Sequence, residues 1–176
     1  LMREGTAPLI RRQDYTEPAF WIRKADLTFD LDGAKTIVAS KLAVERNARA
    51  VRAPPVLQGD GLSLLRVMAD GQSVSFRHGD DGSLVIDNPP EGDSFTLELR
   101  NTCAPDKNKQ LSGLYASGSG LFTQCEAEGF RRITWFIDRP DNLAVYTVTV
   151  RADRKKYPVL LSNGNRMDSG ADGEKH

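Results

Sequence analysis

The sequence predicts an all-β domain, an antiparallel β-sandwich-like fold with one long loop and little helix. From Trp21 onward, short apolar runs alternate with turn signals every eight to twelve residues or so, a spacing typical of sandwiches. Signals for helix starts and ends are scarce. The chain of 176 residues is long enough for one sizeable domain with its own hydrophobic core.

The first two strands form a predicted hairpin. Residues 25–32 alternate apolar and polar side chains, so Leu27, Phe29 and Leu31 share one face, which we expect to face the core. An Asp-Gly turn signal follows, and residues 36–45 return as the antiparallel partner.

The rest of the chain divides into strands, one long loop and a tail. Apolar runs bounded by Gly, Asn and Pro predict strands at residues 62–67, 73–76, 83–86, 94–99, 133–137, 144–152 and 158–162. Residues 102–120 have no clear period and are rich in Gly and Ser, which predicts a long ordered loop. Residues 126–132 can hold a short helical turn near their end. From Met167 onward the chain is polar, and we expect it to fray.

Composition and charge exclude several classes of partner. Lysine plus arginine and aspartate plus glutamate number 24 each, which argues against a phosphate-neutralising nucleic-acid surface. We find no apolar run long enough to cross a membrane and no signal peptide, and we therefore expect a cytoplasmic chain with no membrane partner. Cys103 and Cys125 are too few for a disulfide framework and are expected as reduced thiols, although a bridge between them stays open.

The segment Gln124–Arg132 has the strongest signs of a site. It places acidic, amide and basic side chains beside a glycine. The glycine-rich residues 111–120 precede it, and residues 133–141 follow it as an apolar run that ends in a turn. Clustered charge between a flexible segment and a rigid one is a common setting for a binding loop.

Several motifs resemble the N-terminal domain of the bacterial aminopeptidase N family, which are zinc aminopeptidases of the gluzincin class. They are Leu114-Tyr115, Thr123-Gln-Cys-Glu-Ala-Glu-Gly-Phe-Arg131, Asp138-Arg-Pro-Asp141, Lys156-Tyr-Pro-Val-Leu-Leu-Ser-Asn-Gly-Asn165, Tyr15-Thr-Glu-Pro-Ala-Phe20 and Ala25-Asp-Leu-Thr-Phe-Asp-Leu-Asp32. The similarity runs from about Asp14 to Asn165, and the motifs are specific when taken together. It implies a saddle-shaped β domain.

The metal-binding motifs of that family are missing from this chain. The family holds zinc with a His-Glu-x-x-His helix and a distant Glu, and it grips the peptide amine with a Gly-x-Met-Glu-Asn motif. This chain has only His78 and His176, and neither begins such a motif. Because a hydrolytic zinc centre needs three protein ligands and an open position, we expect no metal in this chain and zinc in the intact protein.

The chain is therefore expected to be a fragment, cut before the catalytic domain. We divide it into a flexible segment at residues 1–13, a β-rich domain at residues 14–165, and a polar tail at residues 166–176 that leads to the missing domain.

The resemblance assigns substrate-binding roles to two residues and catalytic roles to none. It implies that Glu126 binds the free α-ammonium of the substrate and that Gln124 lines the pocket for the first side chain. Two alternatives stay open: Glu126 can pair with Arg131 or Arg132, and Gln124 can bond the backbone of its own loop. Glu128 is expected to face solvent or an ion-pair partner, and one of the two arginines to anchor the loop through a carboxylate.

The resemblance also implies the function of the intact protein. That function is a zinc metalloaminopeptidase that removes N-terminal residues from peptides, with the isolated fragment inactive. Its partners would be peptides with a free N-terminus and the missing catalytic domain. The alternative is a standalone β domain that binds amines or peptides, or that has a structural role, without catalysis.

Overall fold

Eleven strands build the part of the chain that the structure describes, which in this computed structural model is residue 9 and residues 11–176. Their bounds are β1 Phe20–Leu31, β2 Thr36–Arg46, β3 Val56–Leu57, β4 Ser63–Ala69, β5 Gln72–Ser73, β6 Phe76–His78, β7 Leu84–Ile86, β8 Ser94–Cys103, β9 Gly113–Ser117, β10 Gly120–Gln124 and β11 Val145–Ala152. Helix within these residues is confined to three single 3-10 turns, at Arg12–Asp14, Pro105–Lys107 and Phe130–Arg132. The prediction of an all-β fold with little helix is confirmed.

The largest sheet has six strands in the order β11-β1-β2-β8-β4-β5. The predicted hairpin of β1 and β2 is confirmed, with Leu27 opposite Ser40. Neighbouring strands of this sheet pair antiparallel except at one edge, where β11 runs parallel to β1. Strands β3, β7 and β6 form a second sheet, and β9 and β10 form a separate hairpin.

The core lies on the face of the large sheet that the alternation predicted. Ala25, Leu27 and Phe29 on β1 are buried, whereas Leu31 is only partly buried because it lies at the end of the strand. The second sheet and the segment after Phe130 cover this face, and Trp135 donates its indole N–H to the carbonyl of Gly82 at 3.0 Å. Burial of these apolar side chains supplies the main stabilisation of the fold.

Several sequence expectations differ from the structure. Residues 102–120 are not one loop, because they contain a 3-10 turn and most of the β9–β10 hairpin. Residues 133–137 are buried but form no strand: Phe136 makes a single bridge to Gln58 between the sheets. Residues 158–162 form no strand within the described part of the chain. The apolar side chains of residues 133–137 belong to a buried connecting segment, and those of residues 158–162 belong to an exposed one. Neither apolar run therefore indicates strand pairing.

The polar tail returns to the large sheet instead of fraying. Asp172 and Lys175 exchange backbone hydrogen bonds around a tight turn, with Gly173 at φ 60°. His176 then exchanges two backbone hydrogen bonds with Ala152 at the end of β11, each 3.0 Å long. At the other end, the flexible segment expected at residues 1–13 falls mainly on residues 1–8 and 10, which lie outside the described residues.

Candidate functional site

The β9–β10 hairpin carries the chain into the segment Gln124–Arg132, which we call the site loop. Gln124 is the last residue of β10 and lies opposite Gly113. Gly113 is buried at φ 77°, and a Cβ atom placed on it would lie 2.5 Å from the Cβ atom of Arg132. Glycine is therefore needed here both for the backbone conformation and for the close approach of the loop's far end.

The site loop closes on itself through its backbone. The amide of Gly129 donates to the carbonyl of Cys125 at 2.7 Å, and Phe130–Arg132 form the short helical turn expected near the loop's end. The peptide bond between Glu126 and Ala127 is cis, and Glu128 has φ 61°. Both acidic residues of the loop lie within the turn that the hydrogen bond from Gly129 to Cys125 closes.

Arg131 anchors the far end of the loop to Asp138. Its backbone amide and its Nε atom both donate to Oδ2 of Asp138, at 3.1 and 2.9 Å, and its Nη2 atom donates to the Asp138 carbonyl at 3.0 Å. The Asp138 side chain is only 13% exposed. Charge-assisted bonds of this kind are about twice as strong as neutral ones. The loop is thus anchored by an arginine to a carboxylate as expected, but the guanidinium bonds one carboxylate oxygen and a backbone carbonyl rather than both carboxylate oxygens.

Arg132 provides a second anchor, which reaches elements distant in sequence. Its Nε atom donates to Oδ2 of Asp60 at 3.0 Å, and its Nη1 atom donates to the Ser112 hydroxyl at 2.8 Å. The backbone amide of Asp60 also donates to the carbonyl of Arg131 at 2.9 Å. The loop is therefore tied to the segment before β4 and to the segment before β9.

A buried polar network fixes the chain just after the loop. The Asn101 side-chain amide donates to the carbonyl of Ile133 at 2.9 Å, and the Thr134 hydroxyl donates to Oδ1 of Asn101 at 2.8 Å. Ser40 lies 2.9 Å from the same hydroxyl. Because all these side chains are buried and bonded, the network holds the exit of the site loop in one position on β2 and β8.

Glu126 has an exposed carboxylate that makes no hydrogen bond or ion pair with any residue in the described part of the chain. The alternative in which it pairs with Arg131 or Arg132 is not what the structure has. Those two guanidinium groups face Asp138 and Asp60, and Glu128 lies 3.6 Å from Arg131 as the expected ion-pair residue.

Gln124 makes the loop-fixing bond that was the alternative for it. Its side-chain nitrogen donates to the backbone carbonyl of Glu126 at 3.1 Å. The side chain is exposed, and its amide oxygen has no donor among the described residues. The structure thus brings the two predicted site residues together at the tip of one turn.

The two cysteines are free thiols. Burial raises the pKa of Cys103 to about 11. Burial, together with the nearby charge of Asp138, also raises the pKa of Cys125 within the site loop. Neither thiol is disposed to act as a nucleophile, because reactivity requires the thiolate.

No metal centre was found in the part of the chain that the structure describes, where no three His, Cys, Asp or Glu side chains are grouped to hold an ion. His78 packs against Trp135 and Phe76. The His176 ring lies 2.6 Å from the Tyr157 carbonyl through its Nε2 atom. The described residues also contain no helix with the length and apolar character of a membrane span.

Sequence reasoning missed the residues that support the loop. Asp60, Asn101 and Ser112 lie 20 to 72 residues away in sequence from the residues that they bond, and no local pattern connects them with the loop. Asp138 was visible only as part of a motif. Its spacing of seven residues from Arg131 gave no indication of their three hydrogen bonds.

Known proteins match nearly the whole chain. Aminopeptidase N of Escherichia coli (strain K12) is 47% identical over 159 residues, which are 90% of this chain and 18% of that protein. Aminopeptidase N of Caulobacter vibrioides is 42% identical over 178 residues, covering 99% of this chain and 20% of the relative. The chain thus spans about a fifth of the length of these relatives.

Solved structures share the fold. The crystal structure of Legionella pneumophila aminopeptidase A in complex with aspartic acid superposes with a TM-score of 0.84 at 30% identity, over 93% of this chain and 20% of that one. The M1 zinc metallopeptidase from Deinococcus radiodurans has a TM-score of 0.75 at 16% identity, over 91% of this chain and 38% of that one, and it supports the fold alone. The Peptidase M1 N-terminal domain family matches residues 56–176, and the chain belongs to that family.

Proposed function

We propose that this chain is the N-terminal part of a zinc metalloaminopeptidase that hydrolyses N-terminal residues from peptides. Its family membership and its relatives named aminopeptidase N support this reaction class. We further propose that the domain begins at about residue 14 and that residues 166–176, which return to its large sheet, lead on toward the catalytic domain. A cytoplasmic location is part of the proposal, and two free cysteines fit a reducing compartment.

One observation carries the proposal for this chain's own role: the carboxylate of Glu126 is exposed and free of partners in the described residues, while the loop that holds it is anchored at several points. A side chain held by its backbone but left without an internal partner is suited to bind something outside the domain. Asp138 and Asp60 occupy the nearby arginines, so the Glu126 carboxylate is left available to a ligand.

The ligand we propose is the α-ammonium group of a peptide. An ammonium offers three donors, and a carboxylate accepts charge-assisted bonds at roughly 2.7 to 2.9 Å. Once the catalytic domain excludes water from this contact, loss of one partner costs about 2 to 5 kcal/mol. Such a contact separates a free N-terminus from an internal peptide bond, and this separation gives exopeptidase specificity.

Gln124 has a secondary role in the proposal. Its side-chain nitrogen orients the turn by bonding the Glu126 carbonyl, and its oxygen is left to accept a bond or to line the pocket of the first substrate side chain. One amide can do both, because it has two donors and an acceptor oxygen.

Zinc belongs to the part of the protein beyond this chain. The described residues do not fit a metal centre, so no ligand is assigned here. When bound in the intact protein, zinc would supply a water molecule of lowered pKa for hydrolysis. The role of this chain is restricted to binding and orienting the substrate through its amine and its first side chain.

The reaction class is tested with the full-length protein. Release of the N-terminal residue should require zinc, stop after chelation, return on adding zinc, and fail on the same peptide with an acetylated N-terminus. The 176-residue chain alone should release nothing, even with zinc. Cleavage of the acetylated peptide would contradict amine recognition, and a full-length protein inactive with zinc would favour a binding or structural β domain.

A further inference from the structure

The outer face of the large sheet carries two opposed arginines. Arg66 on β4 lies directly opposite Arg100 on β8, and both side chains are exposed. Their neighbours Val67 and Leu99 also lie opposite each other but are buried, so the arginines occupy the face that points away from the core. Like charges directly opposite each other on neighbouring strands destabilise a sheet. The arginine pair therefore lowers the stability of the fold unless something neutralises it.

Elsewhere the described strands place opposite charges against each other. Asp30 lies opposite Arg151 on β11, and Lys41 on β2 lies between Asp26 and Glu98. The two carboxylates nearest to the arginines thus already face a lysine. Among directly opposed charged side chains of the described strands, only the two arginines have the same sign.

A β-bulge creates the arginine pair. The register of β4 with β8 shifts between Leu64 and Arg66, which leaves Leu65 as an extra residue, 52% exposed. Without that extra residue, Arg66 would fall opposite Leu99 in the row that faces the core. Bulges often re-aim a side chain near a functional site. This bulge turns Arg66 to the outer face beside Arg100.

The two guanidinium groups have no internal partner in the described part of the chain. Neither Arg66 nor Arg100 forms an ion pair or a side-chain hydrogen bond there, whereas an arginine such as Arg77 pairs with a carboxylate. Ala39 of β2 lies on the other side of Arg100, and its small, exposed side chain leaves an open groove of about 250 Å³, which Thr28 also lines. Two unpaired guanidinium groups thus border an open groove.

We propose that this groove binds a small phosphoryl anion, either inorganic phosphate or a phosphate monoester, between Arg66 and Arg100. Guanidinium forks match the oxygen geometry of phosphate, and a dianion neutralises both charges at once. The Thr28 hydroxyl is a further donor in the same groove. Asp26 and Glu98 also line it, and their charges repel an extended polyanion such as nucleic acid. The proposal does not depend on the aminopeptidase activity.

Modification of the full-length protein by phenylglyoxal, followed at each arginine by peptide mapping, tests the site. Phenylglyoxal attacks the free guanidinium, so a bound phosphate slows the reaction at Arg66 and Arg100. Two charge-assisted contacts on an exposed surface give a dissociation constant of about 1 mM, so about 10 mM phosphate should slow both reactions about tenfold relative to sodium chloride of equal ionic strength. Arg77 is the exposed internal control, and its rate should change less than about twofold because the ionic strength is matched.

Two variants distinguish a shared site from independent surface charges. Arg66→Gln should abolish the protection of Arg100 by phosphate, because a single exposed guanidinium binds phosphate too weakly at this concentration. Arg77→Gln removes an exposed arginine of the second sheet and should leave the protection of Arg66 and Arg100 unchanged. Glycerol phosphate is the second probe, and protection by either probe supports the site and identifies an ester or the free ion as its ligand.

Four outcomes would overturn the proposal. The first is equal slowing at Arg77, and the second is undiminished protection of Arg100 in the Arg66→Gln protein. The third is that Arg66 and Arg100 resist phenylglyoxal before phosphate is added, because the rest of the protein covers them. The fourth is protection by a DNA oligonucleotide at a lower concentration of phosphate groups, which would indicate a surface for polyanions.

Discussion

The anchor between Arg131 and Asp138 should contribute far more to stability than the anchor between Arg132 and Asp60. Asp138→Ala removes two hydrogen bonds to a carboxylate that is 13% exposed and leaves a guanidinium that is 25% exposed. Breaking a fully buried pair costs about 3 to 5 kcal/mol, and the partial exposure of Arg131 reduces this to about 2 to 3 kcal/mol.

The matched control is Asp60→Ala. The Asp60 side chain is 48% exposed, and the Arg132 guanidinium, 16% exposed, keeps its hydrogen bond to Ser112 when Asp60 is removed. The ion pair between Asp60 and Arg132 should therefore contribute at most about 1 kcal/mol. In the 176-residue chain, urea unfolding followed by the fluorescence of buried Trp135 reports the free energy of unfolding.

With a slope of about 1 to 3 kcal/mol per molar urea, Asp138→Ala should lower the midpoint by about 1 M and Asp60→Ala by about half of that or less. A midpoint for Asp138→Ala equal to or above that for Asp60→Ala would refute the reasoning, provided the slopes agree.

Two further predictions concern backbone and thiol chemistry. Gly113→Ala should destabilise the domain by about 2 kcal/mol or more in urea unfolding, because Gly113 has φ 77° and its new Cβ atom would clash with Arg132. Gly118→Ala, at φ 57° with open space around it, should cost about 1 kcal/mol. Equal losses for the two variants would contradict the packing argument. Cys103 has a pKa of about 11 in the folded domain, against an ordinary value of 9.0. Its contribution to the free energy of unfolding is therefore fully present below pH 9 and is lost as pH rises through 11, by about 2 to 3 kcal/mol. Cys103→Ala should flatten this alkaline decline in the free energy of unfolding, and an unchanged slope would show that other groups cause it.

Local periodicity was enough to predict most of the large sheet. The alternation at residues 25–32 correctly predicted the core face of β1 and its hairpin with β2, because every second side chain of a half-buried strand faces the core. The parallel pairing of β11 with β1 could not be predicted, since it joins residues more than a hundred positions apart.

The strand predictions failed where a segment is buried without pairing as a strand. Residues 133–137 are as apolar as a central strand, yet they are buried between sheets with one bridge. The β9–β10 hairpin was hidden because Gly and Ser form its turn at residues 117–120 and its strands have only five residues each. These strands gain their order from cross-strand contacts such as the stacked pair Tyr115 and Phe122. At the site, the family motif identified the loop, whereas its anchors Asp60 and Asn101 follow only from the tertiary structure.

Amine recognition by Glu126 is tested most directly by comparing Glu126→Gln with Glu128→Gln in the full-length protein. Both glutamates are exposed on the same loop, but only Glu128 has an internal partner, Arg131. For a peptide with a free N-terminus, Glu126→Gln should lower kcat/KM by about one to three powers of ten, since each 1.4 kcal/mol is about tenfold, and Glu128→Gln should lower it less than about threefold. Equal values for the two variants, or an unchanged kcat/KM for Glu126→Gln, would contradict the proposal that Glu126 binds the substrate amine.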